Sequence, residues 1–311
     1  MTAARTAPGR AHDPGAAQAT PNGNPAPLLW VDGRRADPSR AAISAFDRGF
    51  TLGDGVFETM RIAHGAVFRL DRHLERLAAG ASIMGLAIPE DVPDTIAAAA
   101  NTAFDLGWAD AALRLTLTRG VGARGVAPPV ASEPVTVLTV HDMPPAAPIA
   151  ARAVRVRVAE GRRNEFAPTA GVKTLSYADN IVALSQARAA GADDALFLDT
   201  AGHLSEATAS NIFLVSGSML RTPPRSCGIL PGVTRAAVLE LAAALQLAAR
   251  EEVLETRDLA DADEAFLTSA IRGIAPIASA DDRSLPNGAP GPITARLAAA
   301  LDDLVARECR Q

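Results

Sequence analysis

The chain contains one lysine, Lys173, in the stretch Gly171-Val-Lys-Thr-Leu-Ser-Tyr177; all the other basic side chains of the Lys and Arg class are arginine. Arginine serves wherever a permanent charge is enough. It fails where an amine must lose its proton and attack a carbonyl. Lys173 is therefore a candidate imine-forming amine, with compositional drift as the plain alternative. The only tyrosine, Tyr177, lies four residues on. A second set of residues follows in Glu206-Ala-Thr-Ala-Ser-Asn211 and Leu230-Pro-Gly-Val-Thr-Arg235. Glu206 is a carboxylate after a strand pattern. Gly232-Val-Thr234 opens a helix pattern, where free N–H groups and a hydroxyl form an anion site, or merely an ordinary helix start. Upstream, His73 and Arg76 are three apart and share a helical face, as functional groups or as solvated ones. An aldehyde-bearing phosphate cofactor uses such parts together. The lysine forms the imine, the carboxylate holds a pyridinium proton, and helix start plus arginine hold phosphate.

The loop Gly120-Val-Gly122-Ala-Arg-Gly125 spells G-x-G-x-x-G, but a dinucleotide site needs a helix directly after it. Val-Ala-Pro-Pro follows instead. The glycines are expected to shape an active-site loop carrying Arg119 and Arg124.

The elements that must position these groups read as an α+β order. A hairpin starts at Leu28 around Asp32-Gly33, and a second turns at His64-Gly65. Leu70, Leu74, Leu77 and Ala81 stripe a helix over 71–86, and a further helix spans 95–107. Strands are expected over 111–120 and 134–140. The proline-bearing segment His141–Ala150 interrupts both helix and sheet and reads as a linker. Beyond it come a strand over 152–159, a helix over 180–191 and a hairpin pair over 195–207 and 211–223. A helix over 234–247, strands over 251–257 and 264–270, and a last helix over 293–309 complete the chain. The expected division is a disordered tail 1–26, a small N-terminal α/β domain 27–143, a linker 144–150 and a larger domain 151–311.

Composition narrows the class. A chain of 311 residues with 48% hydrophobic content can bury two cores, and a net charge of −5 argues against general nucleic-acid binding. Two distant cysteines and dispersed histidines give no CxxC and no HExxH, so no metal site is expected. No apolar run reaches the length of a membrane span, and the first 26 residues lack the apolar core of a signal peptide. A cytoplasmic enzyme is the default expectation.

The stretch from Glu206 to Arg235, with Phe46-Asp-Arg-Gly through Arg61, His73-Leu-Glu-Arg76-Leu and Lys173 through Ala183, resembles the class IV aminotransferases. These are the fold-type IV pyridoxal-phosphate enzymes. The resemblance runs from about Leu28 to near the C-terminus. It implies that Lys173 forms the imine with pyridoxal 5'-phosphate and is the general acid/base. Glu206 would pair with the pyridine nitrogen. Arg76 and the backbone at Val233 and Thr234 would bind the phosphate, and Ser269 and Ala270 would close over it. Tyr177 is one position away from a tyrosine of branched-chain relatives that contacts the cofactor hydroxyl, so it receives no role. A homodimer is implied as well.

Within the family, the tyrosine-lined pocket of branched-chain enzymes cannot be built with one tyrosine. The loop Thr118-Arg-Gly-Val-Gly-Ala-Arg-Gly125, together with Gly53 through Thr59 and Arg272 through Ile277, looks more like aminodeoxychorismate lyase. Arg124 would then grip a substrate carboxylate, with Arg114 as a second candidate. The expected reaction converts 4-amino-4-deoxychorismate to 4-aminobenzoate and pyruvate, a step of folate-type biosynthesis. The alternatives are transamination of branched-chain or D-amino acids or (R)-amines and, more remotely, cofactor binding without turnover.

Overall fold

The computed structural model describes residues 25–281, 283–286 and 289–310. Most of the expected tail, residues 1–24, lies outside the described residues. The first part of the chain folds as β1 (Leu28–Val31), β2 (Arg34–Ala36), α1 (Arg48–Leu52), β3 (Gly55–Ala63), β4 (Ala66–Val67), α2 (Leu70–Met84), α3 (Val92–Asp105), β5 (Asp110–Thr118) and β6 (Val135–Asp142). Its six strands form one antiparallel sheet in the order β2-β1-β6-β5-β3-β4. Helices α2 and α3 cover one face and enclose Met60, Ile62, Leu77, Ile96, Leu113 and Leu138. The alternation of strand residues fixes which face packs.

Short α1 was not foreseen. Its start is made by Asp47, whose Oδ1 accepts the N–H groups of Gly49 (2.7 Å) and Phe50 (3.3 Å), the usual side-chain answer to unpaired N-terminal amides. The chain then leaves β6 at Asp142, so His141 and Asp142 belong to the strand and not to the expected linker.

The second part runs β7 (Val154–Arg163), α4 (Ala178–Ala189), β8 (Asp194–Asp199), β9 (Leu204–Ala207), β10 (Asn211–Ser216), β11 (Met219–Thr222), α5 (Val233–Ala244), β12 (Ala248–Glu251), α6 (Thr256–Ala260), β13 (Glu264–Ser269), β14 (Gly273–Ala280), β15 (Arg283–Ser284) and α7 (Pro292–Glu308). The strands form a mixed sheet in the order β12-β11-β10-β13-β14-β7-β8-β9, with β15 beside β14. One further pairing, Asn211 with Glu206, joins β9 back to β10 and closes the sheet on itself. Ile212, Leu214, Leu267 and Ile277 fill the inside, while Phe213, Val215, Phe266 and Ile274 face α5 and α7. Both faces are buried, so these strands read as continuous apolar runs. The architecture is α+β, as expected, with one sheet in each part of the chain.

Two expectations change. The strand placed at 251–257 begins earlier, as β12, and pairs in parallel with β11. Residues Thr256–Ala260 are helical instead, because Glu255 and Asp258 cap each other's backbone. Strand β14 was not foreseen, since Pro276 argues against a central strand. Pairing with β7 begins only at Ile277, beyond the proline. Among the described residues no helix is long and apolar enough to cross a membrane, and no group of His, Cys, Asp and Glu is placed to hold a metal.

Candidate active site

A cavity of about 470 Å³ lies between the two sheets. Phe57 and Thr59 of β3 and Arg114 of β5 line one wall. Glu206 and Asn211, the start of α5 and the β13–β14 turn line the other. Lys173 reaches it from the segment before α4. That segment is stitched to β3: Phe57 N–H donates to Lys173 O (2.9 Å), and Leu175 N–H donates to Gly55 O (3.0 Å). The lysine is thus held by backbone pairing with the first sheet.

Lys173 Nζ lies 4.3 Å from the centre of the Phe57 ring and donates to Tyr177 Oη at 3.2 Å. Burial, assisted by the nearby Arg76 cation, pulls its pKa down to about 8. A buried amine near neutrality is what imine formation and proton transfer require. Tyr177 was left without a role by its sequence count. The structure brings its hydroxyl to the amine, because Tyr177 sits at the cap of α4, where the chain turns back toward Lys173. Burial pushes its phenol up to about 12, so it stays protonated.

Arg76 is held by a neighbour that sequence reasoning missed. Its Nε and Nη2 donate to the two oxygens of Glu58 at 2.8 and 2.7 Å, and Nη1 donates to Pro231 O at 3.0 Å. His73 Nδ1 lies 2.8 Å from Glu58 Oε2, so His73 is buried and paired, not solvated. Burial opposes charge on Glu58, but hydrogen bonds from Arg76 and His73 outweigh it and hold the carboxyl below its usual range. The signal was present in β3: Val56, Glu58, Met60 and Ile62 share the core-facing register, where a lone carboxylate must have a partner.

Helix α5 starts at Val233 after Gly232, with no side chain capping its N–H groups. Gly232, Val233 and Thr234 line the cavity beside Arg76. A Cβ at Gly232 would run into Asn211 Oδ1, so only glycine lets the helix start come this close. Thr268 also lines the cavity, and its buried Oγ1 has no hydrogen-bond partner. Together these donors form an anion cradle.

Glu206 faces the cavity from the closure of the second sheet. Its Oε2 accepts the Leu230 N–H (2.9 Å) and the Asn211 amide (3.3 Å). Arg163 Nη2 stands 3.6 Å from Oε1. Burial pushes the Glu206 carboxyl upward, opposed chiefly by Arg163. Ser269 and Ala270 lie in the cavity wall at the β13–β14 turn, where Ser269 Oγ accepts the Arg272 N–H (3.3 Å).

The expected loop arginines fall elsewhere. Arg119 is buried against Asp54 and the carbonyls of Met84 and Gly85. Arg124 is exposed and does not line the cavity of its own chain. The reason is local: the loop is pinned from below by Arg48, which donates to Gly125 O and Val126 O. Arg114 does line the cavity, with its guanidinium carbon 3.7 Å from the Phe57 ring centre.

The sequence profile of the family "Amino-transferase class IV" matches residues 55–280. The chain belongs to the class IV aminotransferases. It is 35% identical over 277 residues to a Methanocaldococcus jannaschii protein assigned as a branched-chain-amino-acid aminotransferase, covering 89% of this chain and 96% of that one. The Escherichia coli branched-chain amino acid aminotransferase structure superposes with a TM-score of 0.82 at 28% identity, covering 91% of this chain and 96% of that one. The 4-amino-4-deoxychorismate lyase structure from Pseudomonas aeruginosa gives 0.74 at 32% identity, covering 89% and 98%. The cofactor of this class IV enzyme is pyridoxal 5'-phosphate. The residues fit it: an amine for the aldehyde, a buried carboxylate for the ring nitrogen, and an uncapped helix start with Arg76 for the phosphate.

Proposed function

We propose that the chain is a lyase that converts 4-amino-4-deoxychorismate to 4-aminobenzoate and pyruvate. The observation that carries this reading is Arg114, a guanidinium in the cavity wall beside Lys173, with a ring and a hydroxyl for neighbours and no carboxylate. A guanidinium there suits a substrate with a carboxylate beyond the one that every amino acid carries, and aminodeoxychorismate has two where a branched-chain amino acid has one. The likeness to the Pseudomonas aeruginosa lyase supports the same reading.

Lys173, Glu206, Arg76, Val233, Thr234, Ser269 and Ala270 are the proposed cofactor residues. Bound pyridoxal phosphate supplies an electron sink. The Lys173 amine takes the proton from substrate C4, the C3–O bond to the enolpyruvyl group breaks, and the ring becomes aromatic. The released enolate gains a proton at carbon and leaves as pyruvate. Tyr177 Oη accepts a hydrogen bond from the amine and so aims it, and Arg114 grips a carboxylate of the ring substrate.

Transamination is the second reading, favoured by the 35% identity to the Methanocaldococcus jannaschii protein. A coupled assay separates the two. Aminodeoxychorismate should release pyruvate without any keto-acid acceptor, and Lys173→Arg should abolish it. Absence of pyruvate, with turnover of L-leucine or D-alanine plus 2-oxoglutarate, overturns the lyase assignment.

The second copy of a homodimer has a candidate seat. Phe46 and Phe50 at α1, and Val121, Val126 and Val130 on the adjoining loop, are all strongly exposed. An apolar surface of this kind marks an interface. Arg124 rides on the same loop, so any contact it makes with a substrate carboxylate would be made across that interface. Light scattering after size exclusion should give twice the chain mass, and Phe46→Glu with Phe50→Glu should give monomer.

A further inference from the structure

Several arginines of low exposure are matched at close range. Arg48, Arg61, Arg69 and Arg119 each have a carboxylate oxygen at 2.7–2.8 Å. Two cavity-lining arginines do not follow this pattern. Arg114, on β5, faces Thr59 of β3 in register; its Nε has only the Thr116 hydroxyl at 3.3 Å, and its guanidinium rests on Phe57. Arg272, in the β13–β14 turn, has its nearest carboxylate at 4.0 Å, in Asp194. Asp194 Oδ1 accepts from the Thr208 hydroxyl and the Ala195 N–H, while Oδ2 faces Arg272 at a separation longer than a hydrogen bond. The third cavity arginine, Arg76, is anchored by Glu58 and Pro231 and keeps one N–H on each Nη for the cofactor phosphate.

Arg114 and Arg272 come from different sheets and both line the cavity. A monocarboxylate neutralises one and leaves the other facing an empty wall. A dicarboxylate satisfies both, and a guanidinium fork offers each carboxylate two parallel donors. Lys173 Nζ and the Arg114 guanidinium carbon both lie close to the Phe57 ring centre. A substrate held by Arg114 is therefore held beside the amine.

We propose that Arg114 and Arg272 form a two-point clamp for a dicarboxylic amine, with Arg272 a specificity-determining residue for the second carboxylate. The clamp rests on the reading of this cavity as the active site. It deepens the lyase assignment, because aminodeoxychorismate carries one carboxylate on its ring and one on its enolpyruvyl arm.

The test uses the pyridoxal-phosphate-loaded enzyme and two unreactive probes, isophthalate and benzoate, titrated against the absorbance of the bound cofactor. Isophthalate should bind about tenfold more tightly than benzoate, the effect of one further charged hydrogen-bonded contact. Arg272→Met should bring the two affinities together, and Arg272→Lys should restore part of the difference. Arg114→Met should raise both dissociation constants, since it holds the carboxylate nearer the amine. Arg272 is about half exposed, so its replacement is compatible with folding, and retained cofactor absorbance verifies that. Equal binding of the two probes to the unsubstituted enzyme overturns the clamp, as does an unchanged preference in Arg272→Met. Loss of cofactor retention in Arg272→Met also overturns it, by assigning Arg272 to the phosphate. If aminodeoxychorismate yields no pyruvate while the isophthalate preference stands, the lyase assignment falls and the clamp is supported for another dicarboxylic amine.

Discussion

Two arginine pairs in this protein have opposite surroundings. Arg48 and Arg119 converge on Asp54, with Nε of each 2.8 Å from Oδ2 and Arg119 Nη2 3.0 Å from Oδ1, and other donors of both go to backbone carbonyls. Arg114 and Arg272 line the cavity, and among the described residues neither has a carboxylate oxygen closer than 4.0 Å. The first pair is closed and fixes the loop after β5 to α1 and to the end of α2. The second is open and keeps its hydrogen-bonding capacity for a ligand. Residue type alone does not separate structure from recognition; the state of the partner does.

Breaking the closed pair should have the largest effect. Asp54→Ala leaves two buried guanidiniums without their carboxylate and should cost about 3–5 kcal/mol in urea unfolding. The same carboxylate predicts an acid dependence. Burial opposes its charge, but hydrogen bonds from Arg119 and Arg48 outweigh this and hold its pKa below the usual value. Its contribution is therefore present above the ordinary carboxylate range and is lost as pH falls through the folded-state value. Asp54→Ala should flatten that acid limb.

Glu58 tests an intermediate case, a closed contact that serves an open site. Glu58→Gln keeps the shape but removes the charge that orients Arg76. Pyridoxal-phosphate affinity of the apoenzyme should fall by about tenfold, the value of a charge-assisted hydrogen bond, as read by fluorescence titration. Next comes Lys173, whose pKa is depressed to about 8. The rate at which the apoenzyme takes up pyridoxal phosphate should rise with pH and level off above about 8. Below that point each pH unit should slow it about tenfold, as the neutral amine becomes scarce. Arg76→Met should move the midpoint upward, since the Arg76 cation helps depress it. The smallest effect belongs to the exposed pair Arg72–Glu75, at 3.0 Å. Glu75→Ala should change stability by less than about 0.5 kcal/mol.

Much of the fold was legible because its patterns are local. The stripe of Leu70, Leu74, Leu77 and Ala81 gives α2 within a residue or two at each end. The continuous apolar runs of β10 and β13 read as strands buried on both faces. Misreadings occurred where one residue's local preference competed with tertiary pairing. Pro276 hid β14, and the mutual cap of Glu255 and Asp258 turned an expected strand into α6.

The sequence by itself determined the proposed reacting groups: a single lysine, a carboxylate at Glu206 and a glycine-led helix start at Val233. Tertiary structure decided which other residues join them. It brought the Tyr177 hydroxyl to the amine, locked Arg76 with Glu58, took Arg119 away into a buried ion pair, and brought Arg272 to the cavity that Arg114 lines. Apart from the Tyr177 contact, which is local, those relations depend on contacts between residues well separated in the chain. Whether a charged side chain is closed or open is set by the neighbour that folding supplies, and no spacing along the sequence encodes that neighbour.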